Sequence, residues 1–142
     1  MDLTAPTQCS LPGQFTVSTD VAVDDVHSKT WQRGTLPPSA LAAAKASCSA
    51  LSLGNLTNWR VPTVAEWQEV SVKCGLLNAG HPGTCAPCID QEAFPPTPGS
   101  SGEGYWTADV LNSVNGQSFD SFSGRVFRVS VDTAVSVRCI HD

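Results

Sequence analysis

An α+β domain is what the sequence predicts, on three observations: an alanine-rich helical run behind two prolines, a second helix opened by a capping box, and strand-like patterns rich in Val and Thr at both ends. At 142 residues the chain fits one domain, long enough to bury about two-thirds of its unfolded surface around a single core. Residues 1–14 read as an N-terminal extension and 15–142 as the domain.

The first strands come from residues 15–33, FTVSTDVAVDDVHSKTWQR, where the polar break at Asp24 to Lys29 predicts a turn between two strands and Trp31 anchors the second. Pro37 and Pro38 then precede Ser39, read as an N-cap, and Leu41, Ala44, Cys48 and Leu51 recur at three and four until Gly54. In WRVPTVAEW, residues 59–67, Thr63 and Glu66 have the T-x-x-E spacing in which each side chain accepts from the other residue's orphaned backbone N–H. Pro62 keeps Val61 extended, Trp67, Val70 and Cys74 form one apolar face, and Gly75 ends this helix. Arg60 is left over from the local account and is expected to be structural, its guanidinium given to carbonyls or a carboxylate.

Residues 75–104 are dense in Pro and Gly and predict a long irregular loop, pinned by cross-links. YWTADVL reads as a strand, NSVNGQSFDSFSG as a polar loop, and GRVFRVSVDTAVSVRCI as a hairpin turning near Asp132 and Thr133. In its last strand Val135, Val137 and Cys139 share parity, which puts Cys139 on the core side, where Cys48 could meet it.

Net charge is −5, and the eight basic residues are scattered without a run, so nucleic acid is excluded as a partner class. No apolar stretch approaches the roughly 20 residues of a membrane span. Six cysteines, Cys9, Cys48, Cys74, Cys85, Cys88 and Cys139, in a small Pro- and Gly-rich domain indicate disulfides and an oxidising compartment. The opening MDLTAPTQCS has neither a basic nor an apolar region of the export-signal type, so such a signal is expected to have been cut away.

Other chemistry was weighed on the same residues. The Cys85–Cys88 pair lacks the preceding strand and the helix N-terminus that lower a thioredoxin-type thiol. Cys74, His81, Cys85 and Cys88 could make a Cys3His zinc site, but with Cys9 also needing a partner the expected use is two metal-free disulfides, Cys74 to Cys85 or Cys88 and Cys9 to the other. His27 and His141 read as exposed and inert, and no serine sits in a G-x-S-x-G elbow. Asp90, Glu92, Glu103, Asp109, Asn112, Asn115 and Asp120 are oxygen ligands of the kind calcium prefers, yet without EF-hand spacing. No cofactor is expected.

Six blocks in order, VAVDDVHSKTWQR, a cysteine followed by LSLG, NWRVPTVAEW, FPPTP, YWTAD and VRCI, resemble the DUF1566 family, which includes the C-terminal domain of a Legionella collagen-like adhesin. The resemblance covers about residues 15–141. It implies a C-type-lectin-like fold, two helices packed on a twisted antiparallel sheet, stabilised by a disulfide from the first helix to the last strand, here Cys48 to Cys139. Formylglycine-generating enzymes share that fold, and their RLPTEAEWE block is similar to residues 60–69. Their chemistry rests on a copper-binding cysteine pair whose spacing and position differ from Cys85–Cys88. The E-P-N, Q-P-D and W-N-D tripeptides of sugar-binding C-type lectins do not occur.

These readings converge on a non-catalytic, secreted or surface-displayed (or periplasmic) bacterial recognition and adhesion domain whose loops bind a glycan or a cell-surface protein. A formylglycine-type copper oxidase and an oligomerising or capping module, which would make the chain a homo-oligomer, are the alternatives. The adhesin of the family is linked to sulfated glycosaminoglycans, but this acidic chain lacks the basic clusters a polyanion needs, so a neutral glycan or a protein is the expected ligand. The binding surface is expected on residues 75–104 and 109–124, with Phe119 and Phe122 as an exposed aromatic face beside Asn112, Asn115 and Asp120.

Overall fold

The computed structural model describes residues 14–71, 89, 92–95, 104–121 and 124–142. Among these, nine strands and two short helices follow in the order β1 (Phe15–Val17), β2 (Val21–Asp24), β3 (Lys29–Gln32), β4 (Leu36–Ser39), α1 (Leu41–Ala50), α2 (Val64–Glu69), β5 (Gly104–Val110), β6 (Asn115–Asp120), β7 (Val126–Ser130), β8 (Val135–Val137) and β9 (Ile140–His141). They build a four-stranded sheet, β1-β2-β3-β9, and a five-stranded sheet, β4-β8-β5-β6-β7. Neighbours are antiparallel except for the pair β5 and β8.

The expected α+β fold of C-type-lectin type is therefore corrected to a mostly β architecture, two sheets with two short helices. Both helices are shorter than their sequence patterns. The second spans only six residues and stops at Val70, whose φ of −98° and ψ of 0° leave the helical track. Val70-Ser71-Val72 alternates β-branched residues with a serine, each a poor helix former that loses side-chain freedom or bonds its own backbone.

At the front of α1, Ser39 is not the cap. It stays in β4, paired with Val135, and Ala40 takes the N-cap position without a side-chain bond. The Val131 carbonyl accepts from the Leu41 N–H in its place. The helix ends at Ala50 rather than Gly54, because Leu53 to Leu56 close a two-residue turn with Gly54 and Asn55 both at positive φ.

Two further expectations change in the second half. The segment read as a polar loop holds β6, and β7 and β8 do not form a hairpin. They diverge after their turn, with β5 and β6 between them. β6 escapes the strand pattern because its buried positions are Gly116 and Ser118 as well as Phe119. A side chain would be crowded there: a Cβ on Gly116 would lie 3.2 Å from the Trp106 ring and 3.5 Å from Leu41.

Alternation in β5 divides the core in two. Tyr105 faces Trp31, Trp67, Phe94, Phe119 and Ile140, while Trp106 faces Leu41, Ala44, Cys48, Trp59, Val137 and Cys139 under α1. Trp67 is the hub of the first cluster, stacked on Phe119 at 5.0 Å and on Tyr105 at 5.1 Å and tilted against Trp31 at 4.7 Å. Cys48 and Cys139, both fully buried, are joined in a disulfide across 91 residues. Cys9, Cys74, Cys85 and Cys88 lie outside the described residues.

The chain crosses from one sheet to the other at Arg138 and Cys139, between β8 and β9. Arg138 is buried there, and no carboxylate among the described residues pairs with it. Its Nε and Nη2 donate to the carbonyls of Gly34, Arg33 and Pro95, and its guanidinium lies over the rings of Phe94 and Tyr105. Burial pushes its pKa down to about 10, so it remains a cation at neutral pH. Arg33 mirrors it from the surface, donating to the carbonyls of Glu92, Ser18 and Thr19.

Candidate functional site

The residue that local structure leaves over, Arg60, sits at the head of α2. Its backbone exchanges both hydrogen bonds with Ile140 of β9, which fixes where its side chain starts. The guanidinium then grips Glu66 through two bonds, Nη1 to Oε1 at 2.7 Å and Nη2 to Oε2 at 2.6 Å, and reaches Asp142 as well. Glu66 also closes the capping box, accepting from the Thr63 N–H at 2.8 Å while Thr63 Oγ1 accepts from the Glu66 N–H. Lys29 of β3 adds a cation 3.1 Å from Glu66 and 3.3 Å from Glu69.

This cluster is electrostatically closed. Burial by itself would raise the Glu66 carboxyl, but the hydrogen bonds from Arg60, the Thr63 backbone and Lys29 outweigh it and hold the pKa at about 2. Hydrogen bonds to Glu66 and then Asp142 hold Arg60 above its ordinary range. Each charge answers another, so the cluster is a clamp on α2. A similar lock shapes the turn after β2. The fully buried Asp24 accepts from Gln14, from the N–H groups of Val26 and His27, and lies 2.7 Å from His27 Nδ1. His27 is thus tied to a carboxylate rather than standing free, and the three-residue spacing from Asp24 was the available sign of it.

The residues expected to bind ligand are dispersed. Phe119 is fully buried, lying against Trp67 at an interplanar angle of 7°, so it offers no face to a sugar. Its position in β6, opposite Tyr105, directs the ring between the sheets. Phe122 lies outside the described residues. The Asn112 side-chain oxygen accepts from the Val114 and Asn115 N–H groups, both at 2.8 Å, and so shapes the β5–β6 turn. Asn115 starts β6 half-buried, its carbonyl accepting from Leu111 and Asn112, and Asp120 ends it half-buried, paired through its backbone with Arg125.

The described oxygen ligands considered for calcium do not gather either. Asp109 accepts from the Val64 N–H at 2.6 Å and so caps the first residue of α2. Glu92 is engaged through its carbonyl by Arg33, and Asp90 and Glu103 lie outside the described residues. Among the described residues no three His, Cys, Asp or Glu side chains are placed to hold a metal ion.

What the sequence did not mark is aliphatic. Val110, Leu111 and Val114, at the β5–β6 turn, are 51%, 48% and 60% exposed, a density of bare apolar side chains found elsewhere only singly among the described residues. Beside them Val131 donates its N–H to the Val114 carbonyl and lines an open hollow of about 230 Å³ with Ala40, Leu41, Ala42, Lys45 and Asp132. The residues themselves could have given the signal: a strand that carries apolar side chains past its last buried position, Thr107, exposes them.

No helix among the described residues is long and apolar enough to cross a membrane. A search of curated proteins finds no match to the chain. The profile of one family, described as the Lcl C-terminal domain, does match, over residues 20–141, consistent with the C-terminal domains of Legionella collagen-like proteins. That span holds every element from β2 to β9, including both halves of the Cys48–Cys139 bridge and, of the Arg60 clamp, everything but Asp142. The chain belongs to the Lcl C-terminal domain family.

Proposed function

We propose that the chain is a non-catalytic recognition domain of a bacterial surface protein that binds its ligand with the β5–β6 turn. Membership of the Lcl C-terminal domain family supports a surface and adhesion role. The observation that carries the site is the group of exposed aliphatics Val110, Leu111 and Val114 on a turn that Asn112 holds rigid. Apolar groups gathered at one place on a soluble domain mark a contact surface. Their aliphatic character favours a protein ligand over a glycan, since among the described residues no exposed aromatic ring accompanies them. The Arg60–Glu66–Lys29 cluster, whose charges are spent on one another, is part of the scaffold in this reading.

The test is a pair of arrays, one of extracellular proteins and one of glycans, probed with the wild-type domain and with the triple variant Val110→Ser, Leu111→Ser, Val114→Ser. The expected outcome is binding to a protein target that weakens about tenfold or more in the variant at unchanged melting temperature, because the replaced groups are already exposed. Equal binding by both proteins, or binding confined to glycans, sinks the assignment.

A further inference from the structure

We infer that the outer edge of β7 accepts an extended, acidic polypeptide segment as an added strand. The inference concerns a different surface from the β5–β6 turn and does not depend on it.

The edges of the two sheets differ in how they are closed. β4, at one side of the five-stranded sheet, carries Pro37 and Pro38 and shifts register against β8, two devices that stop further pairing. In the four-stranded sheet β1 has three residues, and β9 has two and is bridged on through Ile140 to Arg60. β7 alone among the described edges presents five residues in unbroken register, with no proline and no bulge.

Hydrogen bonding fixes which of its amides face outward. The Asp120 N–H donates to the Arg125 carbonyl at one end of the β6–β7 ladder, and the Val131 N–H to the Val114 carbonyl at the other. In an antiparallel ladder bonded pairs alternate, so Phe127 and Val129 also bond inward, toward Ser118 and Gly116. Val126, Arg128 and Ser130 therefore point their N–H groups away from the sheet, where no described residue meets them.

The side chains specify the strand that would fit. Phe127, 47% exposed, shares a face with Ser118 and Trp106, and Arg128 is exposed on the opposite face beside Gln117. Elsewhere Lys29 and Arg60 are spent on carboxylates, and Arg33 and Arg138 on carbonyls. Arg128 has no such partner among the described residues. An incoming strand that alternates apolar and acidic residues covers Phe127 with the first and meets Arg128 with the second, while its backbone bonds the open amides. A second copy of β7 fits less well. Arg128 is the middle residue of the strand, so two-fold pairing brings two guanidiniums opposite or diagonal to each other on one face.

The probes are a blocked hexapeptide of alternating valine and glutamate and its valine–lysine counterpart, added to the domain. Amide hydrogen exchange by NMR should slow about tenfold or more at Val126, Arg128 and Ser130 with the acidic peptide, and stay unchanged at Phe127 and Val129, which are already bonded. The acidic peptide should bind about tenfold or more tighter than the basic one, Arg128→Glu should reverse that order, and Phe127→Ser should weaken both. The triple variant of the β5–β6 turn should bind as wild type does. Unchanged exchange at saturating peptide, or equal affinity for the two peptides, overturns the inference. So does protection of the same three amides by concentration alone with a dimer in sedimentation, which makes a second copy the occupant.

Discussion

Arg60 and Glu66 stand six positions apart, and each is what lets the other leave water. The pH dependence follows in sign from the depressed carboxyl. Glu66 goes from an ordinary value of 4.5 in the unfolded chain to about 2 in the folded one, so its contribution is complete above about pH 4.5 and is lost as pH falls through 2. With Arg60 partly open to solvent, that contribution is on the order of 2 kcal/mol. Urea midpoints measured from pH 6 to pH 2 should fall across this window in wild type and fall less in Glu66→Gln. Arg60→Lys keeps the charge and loses the fork that grips both carboxylate oxygens, which should lower stability by about 1 kcal/mol and leave ligand binding intact. Phe119 gives the sharpest residue-level contrast between scaffold and site. As a ring stacked on Trp67 it should cost about 3–5 kcal/mol when changed to Ala, seen as loss of the folded NMR spectrum, whereas a ligand contact would leave the melting temperature alone.

Elements held by near neighbours were legible in the sequence, and most of those held by distant ones were not, the β5 strand and the Cys48–Cys139 bridge excepted. The Thr63–Glu66 capping box, the turn between Asp24 and Lys29, and the Leu41, Ala44, Cys48 stripe of α1 all involve residues within a few positions of each other, and each stands where its pattern placed it. β6 was hidden because Trp106, Leu41 and Val131 fill the space that a side chain on Gly116 would occupy, so the strand shows a glycine where a strand pattern shows a valine. The pairing of β7 and β8 was misread for a related reason: their turn is local, but their partners, β6 for one and β4 and β5 for the other, come from elsewhere in the chain. The candidate site suffered most, since Phe119 in a run of Asn, Gln, Ser and Asp looks exposed until Trp67, far away in sequence, is seen to cover it. Gly116→Ala tests this account of β6. The added methyl must push on the Trp106 ring, and the expected cost is about 1–3 kcal/mol by thermal unfolding, although alanine suits a strand better than glycine.

At the scale of the whole molecule the Cys48–Cys139 bridge ties α1 to the crossing between the sheets. By the entropy of the long loop it closes, reduction should remove on the order of 4 kcal/mol, a large part of the stability of a domain this size. Because both sulfurs are fully buried, the native protein should resist dithiothreitol until denaturant opens it, which a thiol titration with and without urea would read. The same crossing has a consequence for how the protein is made. Residues 135–141 provide β8, which joins β4 to β5, and β9, which completes the other sheet. A chain emerging N-terminus first from a ribosome therefore has neither sheet complete until residues 135–141 arrive. β1, β2 and β3 can pair with one another in the meantime, but β4 and the far edge of β3 wait for their partners. Closure of both sheets then comes as one late event, when β8 and β9 reach the strands they join.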